Sequence, residues 1–483
     1  MTNFSHTKFY KPTLLLVAAT LFFGVSRVQR AMNQDRASLG LTRVTPLENA
    51  PPVLAFTTVA LGGFRGLIAN ALWIRANDLQ ENDKFFEMVQ LSDWITKLEP
   101  HFVHVWLVQS WNMAYNISVK FSEPADRWRW VQRGIALLRD DGIRYNPDET
   151  LLYRELSWFF QHKMGNNLDD AHEFYKVAWA TEMQQLLGGK PNFATLVSPQ
   201  TAEEKERVKV LREKYKMDPQ LMKETDELYG PLEWRLPDAH AIYWAEAGRR
   251  KAKDDEQQTL RRSIYQTMQM AFTRGGLTEN KVDKSFTLGP NLDLVEKVNG
   301  TYEKMMEEDL TQKEHIKTGH KNFLLHAAYS LYVGSRHKEA ARWYAYLQEK
   351  YPQAVLKNGK KLSLDEFAIA LVTEDVGETD VNKTTALIQG LLQSSFIELA
   401  QDEDDRALNY ERMAQKIWDR FQSEIKGSEQ RVGLDPMPEL KRVVRERLLD
   451  PEAGLSPEMA ARIRTKLGIS TPTNAPPAQV APN

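Results

Sequence analysis

Residues 66–100, GLIANALWIRANDLQENDKFFEMVQLSDWITKLEP, determine the fold that the sequence predicts. Apolar side chains recur there every three or four residues in two consecutive stretches, which is the spacing of one face of an α-helix. Pro100 ends the second stretch because proline lacks an N–H and disfavours helix at the residue before it. We therefore predict two antiparallel helices whose facing positions are Leu72, Ala76, Leu79, Phe85, Met88, Ser92 and Ile95.

The same spacing returns further along the chain. A 34-residue frame that begins at Ala69 describes the pattern. Large and small residues recur at the same positions of each frame, and a proline near its end terminates the second helix. Trp106 stands six residues after Pro100, and Tyr153 stands six residues after Pro147. This arrangement resembles the tetratricopeptide repeat. The resemblance implies helical hairpins that stack into a solenoid, because one hairpin cannot bury its own apolar face.

Two segments bear a second resemblance. Residues 62–75 and 229–248 are similar to segments of uncharacterised membrane-anchored bacterial repeat proteins, a similarity that implies no particular chemistry.

The unit between Pro100 and Pro147 is 47 residues long and exceeds the 34-residue frame. The excess predicts either a longer connection between its two helices or an extended first helix.

The remainder of the chain also has mainly helical patterns. Residues 190–238 interrupt them with a charged, largely solvated helix, and Asp238 is a plausible N-cap for the helix that follows Pro237. Residues 277–301 look irregular. Further helices are predicted at 239–248, 260–272, 323–352, 386–400, 405–421, 437–449 and 456–467.

Composition sets limits on function. The chain of 483 residues has a net charge of −2 and no cysteine, so disulfides, cysteine nucleophiles and thiolate metal sites are excluded. Its balanced charge gives no bias toward nucleic acid. Apolar residues make up 42%, enough for a substantial core, and alternating β-branched runs are few. The predicted class is all-α: a solenoid of tetratricopeptide-like hairpins with an N-terminal transmembrane helix and a disordered C-terminal tail.

The N-terminus carries a predicted membrane anchor. Residues 12–26 are uncharged and mostly apolar, and a helix over 9–26 spans about 27 Å of a hydrocarbon core that is about 30 Å thick. A cleaved signal peptide is the alternative, since Gly24, Val25 and Ser26 give a small-x-small cleavage site. The arginines that follow favour a cytoplasmic body, whereas the short N-terminal tail favours export. We expect a single-pass anchor in a bacterial inner membrane, with the body extracytoplasmic.

A second apolar segment, residues 53–64, is too short to span a membrane. It is predicted to form the buried first part of the solenoid, to lie along the membrane surface, or to form a strip that binds a partner.

The predicted domains are an anchor or signal peptide (1–30), a linker (31–52), a first repeat block (53–189), an insertion (190–238), a second helical block (239–425), short C-terminal helices (426–469) and a disordered tail (470–483).

Residues with catalytic potential are few. His101 and His104 have the spacing of metal ligands on a helix but no nearby carboxylate, so turn or surface roles are expected for them. His240 is expected to be buried and hydrogen-bonded to the backbone. No nucleophile elbow, phosphate loop or zinc motif occurs. We predict no enzymatic activity, no cofactor and no metal; an enzyme that uses the 190–240 region, with His240, Arg235 and Asp238, is an alternative.

Tryptophans and arginines cluster in the first block, and such side chains are common anchors of protein interfaces. The prediction is a membrane-tethered scaffold that holds a protein or peptide in the solenoid groove without catalysis. A structural subunit of a membrane complex is the second alternative. The predicted protein-binding residues are Trp111, Arg127, Arg129, Arg133 and Arg154.

Overall fold

A computed structural model of the chain describes residues 6–38, 65–280, 282, 286–357, 359–374, 381–424 and 433–469. These residues are mostly helical, with two short β-hairpins. The chain divides into two compact units, Met1–Pro100 and His101–Asn483. The apolar segment 53–64 and the tail from Ser470 lie outside the described residues.

The first unit contains the predicted anchor and the first predicted helix pair. Helix α1 (His6–Ser38) continues beyond the predicted end of the anchor at residue 30. Its portion Thr13–Met32 is long and apolar enough to cross a membrane, a property that signal sequences share. Helices α2 (Arg65–Glu81) and α3 (Phe85–Leu98) then pack against each other. The predicted pair is confirmed, since these predicted positions are buried: Ala76, Leu79, Phe85, Met88, Ser92 and Ile95.

The second unit begins with two helical hairpins. Three of their helices change to a wider π-helical turn before they end, so each is longer than its α-helical part. The elements are α4 (Val103–Trp111, then π-helix Asn112–Ile117 and 3₁₀ turn Ser118–Lys120), α5 (Pro124–Ala136, then π-helix Leu137–Gly142 and the short turn Ile143–Tyr145), α6 (Thr150–Trp158, then π-helix Phe159–Met164) and α7 (His172–Leu187).

Helices α4 and α6 correspond residue by residue at an offset of 47 positions. Each has 9 α-helical residues followed by a π-helical segment of 6 residues. Trp106 and Tyr153, which occupy the same position in the two helices, are both buried. Only residues 121–123 connect α4 to α5, so the unit has no lengthened connection; its extra length lies in both helices, of which the extended first helix was predicted.

Glycine lets α5 approach α4 closely. A Cβ atom on Gly134 would lie 2.7 Å from the carbonyl oxygen of Ser110 and 3.2 Å from the Cβ of Ala114. Real side chains do not tolerate such a contact with backbone, so only glycine fits without moving one helix.

Replacing Gly134 by alanine is expected to lower the free energy of unfolding by about 1–3 kcal/mol, because the new methyl group overpacks the contact between α4 and α5. Gly300 is the matched control, since it lies within a helix and a Cβ there would meet no atom within 4 Å. Gly300→Ala should raise stability by about 0.5–1 kcal/mol. Urea denaturation followed by circular dichroism measures both, and a stabilising Gly134→Ala would contradict the close approach.

The most deeply buried helix of this unit, α11 (Pro237–Arg249), packs against α6 and against the helices that precede and follow it in sequence. Every residue from 232 to 248 is buried, including the first twelve residues of α11. The remaining elements are α8 (Phe193–Val197), α9 (Ala202–Glu213), α10 (Pro219–Tyr229), α11 (Pro237–Arg249), α12 (Asp254–Arg274), β1 (Gly276–Glu279), β2 (Phe286–Gly289), α13 (Val295–Glu308), α14 (Lys313–Val333), α15 (His337–Lys350), β3 (Leu356–Lys357), β4 (Lys360–Lys361), α16 (Leu364–Glu374), α17 (Val381–Ala400), α18 (Asp404–Glu424), α19 (Met437–Leu448) and α20 (Pro457–Leu467).

Two local predictions are wrong. Within 277–301, which the sequence presents as irregular, β1 and β2 pair antiparallel and α13 begins at Val295. Asp238 is not the N-cap of α11; Leu236 holds that position, and the carboxylate of Asp238 binds Arg274 instead. The charged helix α9 is confirmed, with a capping box between Thr201 and Glu204.

Candidate functional site

Four rings on α4 and α6 form an aromatic ladder, defined as Trp111, Tyr115, Trp158 and His162. Trp111 stacks on Tyr115 with ring centroids 5.1 Å apart and planes within 15°. Trp158 stacks on His162 with centroids 4.4 Å apart and planes within 14°. The offset of 47 residues relates Trp111 to Trp158 and Tyr115 to His162. Each helix therefore presents one tryptophan supported by one ring from its own next turn.

A hydrogen bond joins the two halves of the ladder. The hydroxyl oxygen of Tyr115 lies 3.1 Å from Nδ1 of His162. Burial, together with the cations of Lys163 and Arg274, lowers the pKa of His162, while burial and the Glu155 carboxylate raise the pKa of Tyr115. At neutral pH the imidazole is therefore uncharged and the phenol keeps its proton. The hydrogen bond between the Tyr115 hydroxyl and Nδ1 of His162 joins α4 to α6.

The two tryptophans remain open to solvent although their supporting rings are half-buried. Trp111 and Trp158 are each 41% exposed. Both stand immediately before a π-helical turn, at Asn112–Ile117 and Phe159–Met164. π-Helical turns are rare and often mark functional sites. An exposed indole at the same position of two neighbouring helices is thus a repeated surface feature.

A polar pocket adjoins the ladder, with a volume of about 460 Å³. Its walls come from one face of α6 and one face of α12, and Trp158 belongs to both the pocket and the ladder. Large aliphatic side chains are not among its lining residues, so the pocket offers hydrogen-bonding groups around a single indole. The lining residues are Arg154, Glu155, Trp158, Gln161, Thr259, Arg262, Ser263 and Gln266.

The pocket holds two charged side chains of opposite sign that form no salt bridge among the described residues. Within the part of the chain that the structure describes, neither Arg154 nor Glu155 forms an ion pair or a side-chain hydrogen bond, whereas Arg262 pairs with Asp309. Burial raises the pKa of Glu155, and the neighbouring Arg154 partly offsets that effect. A guanidinium and a carboxylate are therefore both available to a ligand.

A buried ionic network supports the ladder from beneath. Lys163 Nζ lies 5.0 Å from the ring centre of Tyr115 and 2.5 Å from Oδ2 of Asp169. Tyr175 donates a further hydrogen bond to Asp169, at 3.1 Å. Burial alone would raise the pKa of Asp169, but hydrogen bonds from Lys163, the Ala171 N–H and Tyr175 outweigh it and lower the pKa to about 2. Asp169 is consequently ionised and neutralises Lys163.

The predicted binding residues fall into two groups. Trp111 belongs to the ladder and Arg154 to the pocket, so the structure places these two on one continuous surface through Trp158. Arg127 is instead part of the buried network, since its guanidinium binds Asp169, Asp170 and the carbonyl oxygen of Phe121.

The other two predicted arginines lie on α5. Arg129 pairs with Asp126 at 2.6 Å, and the guanidinium of Arg133 lies over the ring of Trp130 at 4.7 Å. Neither lines the pocket. Sequence reasoning missed Tyr115, Trp158, His162, Glu155 and the α12 face, although the 47-residue offset from Trp111 points to Trp158.

The residues of the predicted enzymatic alternative do not converge. His240 Nε2 lies 2.8 Å from the carbonyl oxygen of Trp234, which confirms the predicted buried histidine with a backbone hydrogen bond. Arg235 pairs with Glu233, and Asp238 pairs with Arg274. A second cavity of about 500 Å³ adjoins this region, and none of His240, Arg235 and Asp238 lines it.

Comparison with known protein families, curated proteins and solved structures finds no match for this chain. Among the residues that the structure describes, no group of three or more histidines and carboxylates is arranged to hold a metal ion.

Proposed function

We propose that the chain is a membrane-tethered, tetratricopeptide-like scaffold that binds an extended segment of a partner protein. The binding surface is the aromatic ladder together with the polar pocket. The main support is that Trp111 and Trp158 occupy equivalent positions of neighbouring helices. Each indole stacks on a ring of its own helix and is still 41% exposed to solvent.

The energetics favour such a surface as a recognition site. Tryptophan and arginine dominate the residues that contribute most to protein interfaces. Each indole is already fixed by stacking, so little side-chain freedom is lost when a partner binds. An equally exposed indole on an unsupported side chain would lose more entropy in the complex.

The chemistry of the pocket suits a peptide main chain. Amide and hydroxyl groups of Thr259, Ser263 and Gln266 offer both donors and acceptors, as N–H and C=O groups require. An apolar helix needs an apolar groove, and the pocket has only the indole of Trp158. An extended segment that alternates main-chain contacts with side chains on the ladder fits better than a docked helix.

The solenoid part of the proposal is supported by the repeated hairpins. Helices α4 and α6 share one internal pattern, and a small residue, Gly134, permits close packing of a hairpin. The segment Phe323–Pro352, for which the sequence predicts an uninterrupted repeat, forms the C-terminal half of α14 and all of α15. Its small positions Ala328 and Ala340 are fully buried.

The proposed tether would place the binding surface next to a membrane. The apolar portion Thr13–Met32 of α1 is proposed to remain as an anchor, with the body on the extracytoplasmic side. Confinement to a membrane raises the effective concentration of a membrane-bound partner without any new contact.

Partner capture tests the proposal. The full chain, purified from native membranes in mild detergent, is expected to retain a protein partner, and Trp111→Ala combined with Trp158→Ala should weaken its binding at least tenfold. Phe174→Ala is the matched control, because Phe174 is an aromatic residue outside the ladder with a similar exposure of 40%. The control should bind as the unmodified chain does. Equal affinity of all three proteins would refute the ladder as the binding surface.

A further inference from the structure

We propose that the outward face of α2 lies on the surface of the same bilayer that α1 is proposed to enter. This inference rests on the proposed membrane tether but not on the ladder or its partner. It assigns the first helix pair a second contact with lipid, parallel to the membrane plane.

The face is defined by Leu67, Ala71 and Ile74. Leu67 is 62% exposed and Ile74 is 70% exposed, and their spacing of seven positions corresponds to about two helical turns, so both side chains lie on one side. The opposite side is occupied, because Ala69 and Ala76 are buried in the contact with α3. Two large aliphatic side chains are thus directed away from the hairpin.

Charge does not oppose this orientation. Two charged side chains border the face, Arg75 next to Ile74 and Asp78 one turn beyond it, and they form an ion pair with each other. A neutralised pair at the end of an apolar face is compatible with the head-group region, where interfacial helices keep their polar groups.

The connection to the anchor makes lipid the favoured occupant. Residues 39–64 are all that separates α1 from α2. However they are arranged, a chain of this length spans at most about 90 Å, so α2 always remains within reach of the membrane that holds α1. A lipid surface is therefore continuously available to the apolar face, whereas a soluble partner would have to arrive by diffusion.

Spin labelling of the full chain in lipid vesicles tests this placement. The absence of cysteine allows single-cysteine variants without background: Leu67→Cys and Ile74→Cys on the face, and Glu87→Cys and Gln90→Cys on the exposed side of α3 as matched controls. Leu21→Cys reports on the anchor. Vesicles of phosphatidylcholine and phosphatidylglycerol are used, and collision rates with oxygen and with a water-soluble nickel complex are measured.

The expected result is a ratio of oxygen to nickel collisions at least threefold higher at 67 and 74 than at 87 and 90, with the highest ratio at 21. Equal ratios at the face and control positions, with residue 21 in lipid, would overturn this inference and leave the tether intact. Labels at 67 and 74 that meet neither reagent, or that broaden each other between copies, would show a protein-covered face and also overturn it. A water-exposed residue 21 would refute the tether itself.

Discussion

Replacing Trp234 by alanine is expected to lower the free energy of unfolding by about 3–5 kcal/mol, the cost of removing a large aromatic side chain from a packed core. Trp234 is fully buried, with its ring 6.0 Å from those of Phe193 and His240. Its indole N–H donates to Asp226 at 2.9 Å, so alanine leaves both a cavity and a carboxylate that has lost a donor.

The measurement is urea denaturation of the detergent-solubilised chain, followed by circular dichroism. Trp111→Ala is the control, because Trp111 is 41% exposed and its removal should shift the midpoint much less. Similar midpoints for the two variants would contradict the central position of Trp234. Trp234 lies in residues 190–238, which the sequence presents as an insertion, so the experiment also tests whether that segment is part of the core.

The second large loss in the free energy of unfolding is expected when Asp169 is replaced. Asp169→Ala removes the partner of the buried Lys163 ammonium, and an uncompensated buried charge costs about 3–5 kcal/mol. Asp126→Ala is the control, since its pair with Arg129 is solvent-exposed and contributes at most about 1 kcal/mol. Comparable losses in the two variants, again by urea denaturation, would show that the network is not buried in solution.

Acid gives a further test of the same group. The pKa of Asp169 is lowered to about 2 in the folded chain from 3.8, so its ionised form is favoured by folding. Its contribution is fully present above about pH 4 and is lost as the pH falls toward 2. The Asp169→Asn variant should lack this part of the pH dependence, and an unchanged slope between pH 4 and 2 would contradict the assignment.

Helical spacing allowed much of the fold to be predicted. The pairs α2–α3 and α14–α15 follow from apolar positions three and four residues apart, a signal contained within each helix. The wider π-helical turns could not be predicted from this spacing, because they depend on how neighbouring helices pack. Asp238 shows the same limit: its position after Pro237 suits a cap, but Arg274, far away in sequence, takes its carboxylate.

The candidate site was harder to predict for a related reason. Trp111 and Arg154 lie on the surface at the ladder and the pocket, and their residue types alone made them candidates for a protein interface. Arg127 has the same type, yet Asp169 and Asp170 engage it from the loop before α7. A single sequence does not reveal which cations are neutralised by distant carboxylates, so exposed and buried arginines look alike.

The burial of the first twelve residues of α11 has a consequence for how the second unit opens. Their backbone amide hydrogens are shielded on every side, so local fraying cannot bring them into contact with water. Deuterium should therefore exchange last at the amides of Asp238–Gly248, and only through cooperative disruption of the helices packed against them.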